Sequence, residues 1–438
     1  MQERPNLVLM HTHDTGRHLG CYGAGVPTPN LSRMALEGVL FRQCHCVTPS
    51  CSASRSGLMT SLSPHNNGML GLCHRGWRLK DPRQHLSNLL REAGYRTQLI
   101  GFQHEVPGED LGKLGYDGVT ANDKLDRHSV KRAELAVEWL AQAPRQPFFL
   151  NVGFVETHRT FPKVEPPEDE RYAAPFPWLP DDPRVRKDVA ELNTAVRHVD
   201  AGIGLILEAL ERHGLARNTL VIYTTDHGVP FPRAKSTLYD AGTGVALAMR
   251  GPGGFEGGKV IDGLVSHLDL LPTFFNLAEV PVPSYAQGVN LLPMVRGQTK
   301  QARQEVFTEN TYHGHYEPMR AIRTERYKYI RNFEDQPPLF LPNIDNGYSK
   351  NVLTDAGLPV GVRSREQLFD LAADPQEFEN LAARAEYAAV RADLEKRLLD
   401  WMTRTDDPLL KGPVPLVAGG HDTPIGAYSP AGGPKPEA

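Results

Sequence analysis

The chain has 438 residues, of which 40% are hydrophobic and 23% charged, the proportions of an ordinary folded protein, so disordered, collagen-like and fibrous classes are excluded. Lys plus Arg number 48 against 52 Asp plus Glu, a formal net charge of −4, so no broad basic field exists for a nucleic-acid backbone and nucleic acid is not an expected partner. The opening Met1-Gln2-Glu3-Arg4-Pro5-Asn6 has no basic stretch leading into an apolar one, and no apolar run reaches membrane length; no membrane partner is expected, and the cytoplasm is the expected compartment.

Asn6-Leu7-Val8-Leu9-Met10 reads as a buried strand opening into the polar loop His11-Thr12-His13-Asp14-Thr15-Gly16. All five cysteines (Cys21, Cys44, Cys46, Cys51 and Cys73) lie within the first 73 residues, an odd number that argues against a disulfide framework. Cys44-His45-Cys46 and Cys73-His74 lack the paired spacing of a structural zinc site. Further buried strands are expected at Thr97–Gly101, Pro147–Val155 and Thr219–Thr225, the last running into Asp226-His227-Gly228. Helices are expected at Pro29–Glu37, Gln84–Ala93, Ser129–Ala141 and about Asp188–Arg212. In the last of these Val189, Leu192, Val196, Val199, Ile203, Ile206 and Leu210 form one apolar stripe. Alternating strands and helices imply an α/β fold, a mainly parallel sheet covered by helices on both faces. From about residue 300 the texture changes. Met319–Arg323 and Tyr327–Phe333 suggest a hairpin, and a Leu368–Leu371 strand precedes a helix about Tyr387–Thr403. The expected organisation is an α/β domain over 1–300, a smaller C-terminal α+β subdomain over 301–405, and a Pro/Gly-rich tail over 406–438 that wraps the surface or is partly disordered.

Chemistry concentrates where strands end. Asp14 follows one strand and Asp226 with His227 follows another, which brings two carboxylates and an imidazole to a common sheet edge. A divalent metal site is one reading; two residues capping turns is the other. Cys51-Ser52-Ala53-Ser54-Arg55 begins a helix in a polar stretch, so the helix N-terminus and the nearby Arg55 are expected to lend the thiol thiolate character. A packed, inert cysteine is the alternative.

That segment resembles the signature of the type I sulfatases of the alkaline phosphatase superfamily, Cys-x-Pro/Ala-x-Arg, matched here by Cys51, Ala53 and Arg55. The resemblance continues in order through Cys21-Tyr22-Gly23, Thr28-Pro29-Asn30-Leu31, Gly94-Tyr95-Arg96-Thr97, Thr225-Asp226-His227-Gly228 and Leu368–Leu381 with Asp374-Pro375 and Asn380-Leu381. Within the family, Pro64-His65-Asn66-Asn67-Gly68-Met69, Pro230-Phe231-Pro232 and Pro283-Ser284-Tyr285 look most like the heparan N-sulfatase (sulfamidase) branch, which acts on N-sulfated glucosamine. The resemblance implies that a maturation enzyme oxidises Cys51 to formylglycine and that Ca²⁺ binds beside it. It also implies that Arg55 stabilises the formylglycine hydrate, that His104 helps collapse the sulfated intermediate, and that His158 with Lys235 binds sulfate and assists the leaving group. As plain residues, His158 and Lys235 read equally as solvated loop positions.

Two positions depart from the family pattern. His13 stands where the first of two adjacent acids is usual, and Gly101-Phe102-Gln103-His104 lacks the usual lysine, with Phe102 in its place. His13 is thus a metal ligand or a substrate contact, and imidazole ligands admit Mn²⁺ or Zn²⁺ beside Ca²⁺. Phe102 either lines a substrate pocket or packs. The expected function is hydrolysis of a sulfate ester or sulfamate of a small sulfated carbohydrate, or of an aryl sulfate; homo-oligomerisation is left open. A phosphate or phosphonate ester hydrolase of the same superfamily, or a carbohydrate-binding pseudosulfatase, are the rival readings.

Overall fold

The computed structural model describes residues 4–120, 128–335, 340–358, 364–433 and 435. Its centre is an eight-stranded sheet in the spatial order Gly118–Thr120, Arg96–Gly101, Phe148–Gly153, Asn6–Thr12, Thr219–Thr225, Leu247–Arg250, Val39–Phe41, Lys259–Ile261. All neighbours run parallel except Leu247–Arg250, which is antiparallel to both of its neighbours. The Asn6–Thr12 strand is buried along its whole length because both faces are covered. Its side chains alternate between two cores. Val8 and Met10 join the helices Ser129–Ala141 and Pro183–Arg212 on one face. Leu7 and Leu9 join Leu58, Met59, Leu270 and Phe274 on the other.

The long helix begins at Pro183, a turn earlier than its apolar stripe suggests, because Asp182 caps it by accepting from Arg184 N at 2.8 Å and Pro183 suits the first turn. It ends where Gly214 takes a left-handed φ of 68° and Leu215 N donates to Leu210 O at 2.8 Å. The hairpin after residue 300 is present as Tyr316–Thr324 and Tyr327–Asn332, flanked by Glu305–Tyr312 and Glu366–Asp370 in one antiparallel sheet. Asn380 ties off the last strand, accepting from Leu368 N at 3.0 Å and donating to Glu366 O at 3.0 Å. The helix Ala388–Arg404 covers this sheet with Leu394, Leu398, Trp401 and Met402.

A buried charge network ties the C-terminal sheet to the Pro64–Asn67 turn of helix and to the segment after Arg404. Arg320 donates through Nε and Nη2 to Asp407 at 2.5 and 3.0 Å and lies 3.1 Å from Glu309, which in turn accepts from His65 Nδ1 at 3.0 Å. The tail runs over the surface and buries Leu409, Val414, Thr423 and Tyr428. Among the described residues no helix is long and apolar enough to cross a membrane.

Candidate active site

Four adjacent strands, Arg96–Gly101, Phe148–Gly153, Asn6–Thr12 and Thr219–Thr225, deliver His104, His158, His13 with Asp14, and Asp226 with His227 to one edge of the sheet. The helix Cys51–Thr60 starts at that edge and is buried at every position. Asp14 turns out of its strand in the left-handed region, φ 58°, and its backbone N–H donates to Asp226 Oδ1 at 2.8 Å. An aspartate held at positive φ is strain kept by its surroundings, a common mark of a functional position.

Ligating atoms of His13, Asp14, Cys51, Asp226 and His227 all lie within 4.8 Å of one another, about twice a metal–oxygen distance. His13 Nδ1 is 2.7 Å from Asp14 Oδ1 and 3.1 Å from Asp226 Oδ2, so His13 belongs to the cluster. His227 Nδ1 donates to Gly228 O at 3.0 Å, which leaves Nε2 as an acceptor 3.1 Å from Asp14 Oδ1 and 3.5 Å from Cys51 Sγ. Two acceptors facing each other without a donor are resolved by a cation or a second proton between them, so the donor set fits a divalent metal. Burial alone would raise the Asp14 carboxyl, but Lys235 and His227 hold it well below the ordinary carboxylate range; His13, His227 and Arg55 do the same for Asp226.

Arg55 sits one helical turn after Cys51 on the same face. Its Nε and Nη2 lie 3.2 and 3.1 Å from Asp226 Oδ2, Nη2 donates to Thr12 O at 2.9 Å, and Nη1 meets His11 Nδ1. Arg55 therefore fixes both a carboxylate and the strand end. Phe102, in the place of the usual lysine, packs: Arg55 Cζ is 5.2 Å from its ring centre and the His13 ring 5.3 Å.

The expected thiolate character of Cys51 is not found. Burial pushes the thiol well up, Lys235 opposes this, and Asp14, Asp226 and Asp345 add to it. Desolvation and three carboxylates outweigh the helix terminus, so an unmodified Cys51, 3% exposed, is a protonated thiol and a poor nucleophile.

Lys235 is not a solvated loop residue. It is 3% exposed and donates to Asp14 Oδ2 at 2.8 Å and to Asp345 Oδ2 at 2.7 Å, between Arg233 and Ser236 at φ 66° and 63°. Burial lowers its pKa, but the two carboxylates win and raise it. His158 is half-buried, with its ring 4.5 Å from that of His13 and a ring nitrogen within 4.8 Å of Asp14 and Asp345 carboxylate oxygens. His104 lies 6.2 Å from His13, ring to ring, and burial takes its pKa down to about 3. The sequence reading missed Asp345, which enters from the loop before the helix Tyr348–Asp355, and His313, which meets Ser50 Oγ at 3.0 Å.

A buried cysteine at a helix start, set among carboxylates, imidazoles and a lysine at the C-terminal edge of a mainly parallel sheet, defines a hydrolase active site built around residue 51. The sulfatase family model matches residues 5–280, and the model named N-sulphoglucosamine sulphohydrolase, C-terminal, matches 231–355. The chain is 30% identical to N-sulphoglucosamine sulphohydrolase of Homo sapiens over 93% of its own length and 92% of the relative's. It is 26% identical to the Delta 4,5-hexuronate-2-O-sulfatase of Bacteroides thetaiotaomicron, over 93% and 90%. A solved structure in complex with its substrate D-glucosamine-2-N,6-O-disulfate shares the fold with a TM-score of 0.74 at 20% identity, over 94% of this chain and 99% of that one. The chain belongs to the sulfatase family, in its sulfamidase branch, and is a hydrolase of sulfate esters or sulfamates.

Proposed function

We propose that the chain hydrolyses the N-sulfo or O-sulfo group of a small amino sugar, using formylglycine made from Cys51 by a maturation enzyme. The observation that supports this most is the joint placement of Cys51 with Asp14, Asp226, His13 and His227 within 4.8 Å, with Lys235 on the Asp14 carboxylate. Formylglycine supplies a hydrated aldehyde, two hydroxyls where the thiol has one nucleophilic atom. Asp14, Asp226, His227 and His13 would hold the divalent cation, which would supply Lewis-acid polarisation of the sulfate group. The carboxylates suit the Ca²⁺ that the family resemblance implies, while two imidazoles draw the preference toward Mn²⁺ or Zn²⁺.

The remaining side chains act around that centre. Arg55 keeps Asp226 in place. Lys235 and His158 receive the sulfate and deliver a proton to the departing nitrogen or oxygen. His104, whose ring centre lies 6.2 Å from that of His13, takes up a proton released in the site. N-sulfoglucosamine is the favoured substrate because the human relative with that activity in its name is matched over 92% of its length.

The test is mass spectrometry of the residue-51 peptide, with sulfate release from N-sulfoglucosamine, glucosamine 6-O-sulfate and matched aryl sulfate and aryl phosphate esters. Formylglycine with preferential release from the sulfamate supports the proposal. A phosphate ester cleaved faster than its sulfate counterpart overturns it.

A further inference from the structure

The proton that His104 takes up needs a way out. Water adds across the S–N or S–O bond; when the amine or alcohol departs neutral and sulfate leaves as its dianion, one surplus proton remains in a buried site. His104 Nδ1 is buried without a hydrogen-bond partner among the described residues. Its Nε2 shares a 3.0 Å hydrogen bond with Nδ1 of His74, and His74 is exposed. The ring centres are 5.2 Å apart and the planes differ by 3°. Two nitrogens approach to 3.0 Å at that centre separation only if both point along the line joining the rings, and the small interplanar angle then makes the pair coplanar. The rings are joined edge to edge, the arrangement for sharing an in-plane proton.

Both rings are anchored. The turn Cys73–Arg75 that carries His74 is tied to the catalytic helix by Cys73 N donating to Ser52 Oγ at 3.1 Å, one residue after Cys51. Arg75 holds the other side of the turn, donating to Gly314 O at 3.1 Å and Thr423 Oγ1 at 3.0 Å. His104 is set by its backbone N–H donating to Glu105 Oε2 at 2.9 Å.

We propose that His74 and His104 form a two-imidazole relay that carries the surplus proton from the reacting centre to water. A proton bound at His104 Nδ1 is matched by transfer of the His104 Nε2 proton to His74 Nδ1 and release of the His74 Nε2 proton to solvent. One proton enters, one leaves, and both rings end neutral as the opposite tautomers. An inward shift resets them when a proton is next drawn into the site. The relay stands beside Phe102, where the sequence lacks the family's lysine, so proton traffic at this corner falls to imidazoles. His74 touches no reacting atom and is a positioning residue that acts through His104.

The inference rests on the role given to His104 above, and the test separates the two. On metal-loaded, modified enzyme, His74→Ala and His74→Gln are compared for kcat, KM and rescue by free imidazole at constant pH. Gln keeps a hydrogen bond to His104 but has no tautomer to exchange, so both variants should lose about tenfold to a hundredfold in kcat with KM changed less than twofold. Imidazole should restore His74→Ala in proportion to its concentration. Wild-type kcat in His74→Gln, or a loss in His74→Ala that imidazole leaves untouched, overturns the relay. If His104→Ala retains full turnover, the role of His104 fails and the relay with it. If His104→Ala is crippled while His74→Gln is normal, the relay alone is wrong.

Discussion

Replacing Lys235 by Met keeps the aliphatic stem and removes the ammonium that lies 2.8 Å from Asp14 and 2.7 Å from Asp345. Two functions disappear together. As a sulfate binder, Lys235 offers a charged hydrogen bond, and its loss should cost about 1.5–3 kcal/mol on any sulfate substrate, roughly tenfold to a hundredfold in kcat/KM. As a proton donor it offers about 10²–10⁴-fold, or about 2.7–5.5 kcal/mol, but only to a leaving group that needs protonation. An activated nitrophenyl sulfate should therefore lose only the first part, and a sugar sulfamate both. The expected contrast between the two substrates is the proton-donor part alone, about a hundredfold to ten-thousandfold. Without the lysine, Asp14 and Asp345 lose the charge that outweighs their burial, so their pKa values rise. Asp345, which is outside the set that holds the cation, then takes up a proton at higher pH than in wild type, so the residual sulfamate activity should increase as pH falls. The assay is kcat/KM across aryl sulfates of rising phenol basicity plus N-sulfoglucosamine, on preparations matched for metal and formylglycine. Equal slowing of every substrate with an unchanged pH profile would refute the proton-donor role and leave Lys235 a sulfate binder.

Cys51→Ala should abolish turnover while circular dichroism and melting stay near wild type; substantial sulfate release by the variant would remove residue 51 from the mechanism. Asp226→Asn should lose the bound cation, read by elemental analysis after gel filtration, and chelation should silence the wild type; a stoichiometric ion retained by the variant refutes this ligand set. Asp407→Ala leaves Arg320 fully buried with a single carboxylate, so unfolding should become easier by about 3 kcal/mol in denaturant titration, and an unchanged midpoint would show the network to be neutral. Asp14, Asp226 and Asp345 are all held below their ordinary range. They therefore stabilise the fold fully above about pH 4 and lose that contribution as pH falls through their depressed values, so acid unfolding should begin at higher pH in Lys235→Met than in wild type.

The carboxylate and imidazole part of the site is visible in the chain because it sits at the ends of two long apolar runs, whereas Cys51 stands out only by its Cys51-x-Ala53-x-Arg55 segment. Asn6–Met10 announces His13 and Asp14, and Thr219–Thr225 announces Asp226 and His227. The three-residue strands Val39–Phe41 and Lys259–Ile261 are too short for any period to register and are fixed by pairing partners distant in sequence. Asp345 lies 110 residues beyond Lys235 in a polar loop, Asn343-Ile344-Asp345-Asn346. Nothing local distinguishes it from a solvated turn, and only folding of the C-terminal part brings it to the lysine. The protonation state of Cys51 was illegible for a related reason. The helix terminus and Arg55 are local features, whereas Asp14, Asp226 and Asp345 arrive from three other segments.

The complete enclosure of Cys51–Thr60 also imposes a chronology. Cys51 has almost no surface, Ser236 N bonds Pro49 O at 3.0 Å just before it, and the strand Thr219–Thr225 and residue Asp345, which help wall the site, are synthesised long after it. Under the proposed oxidation of Cys51 to formylglycine, a catalyst large enough to clasp the Cys51–Arg55 segment would have its opening while that segment is still an unfolded strand of nascent chain. Once the later segments pack, the opportunity closes. Slow translation downstream of Arg55 should raise the modified fraction, and faster folding variants should lower it, without any change in the active site itself.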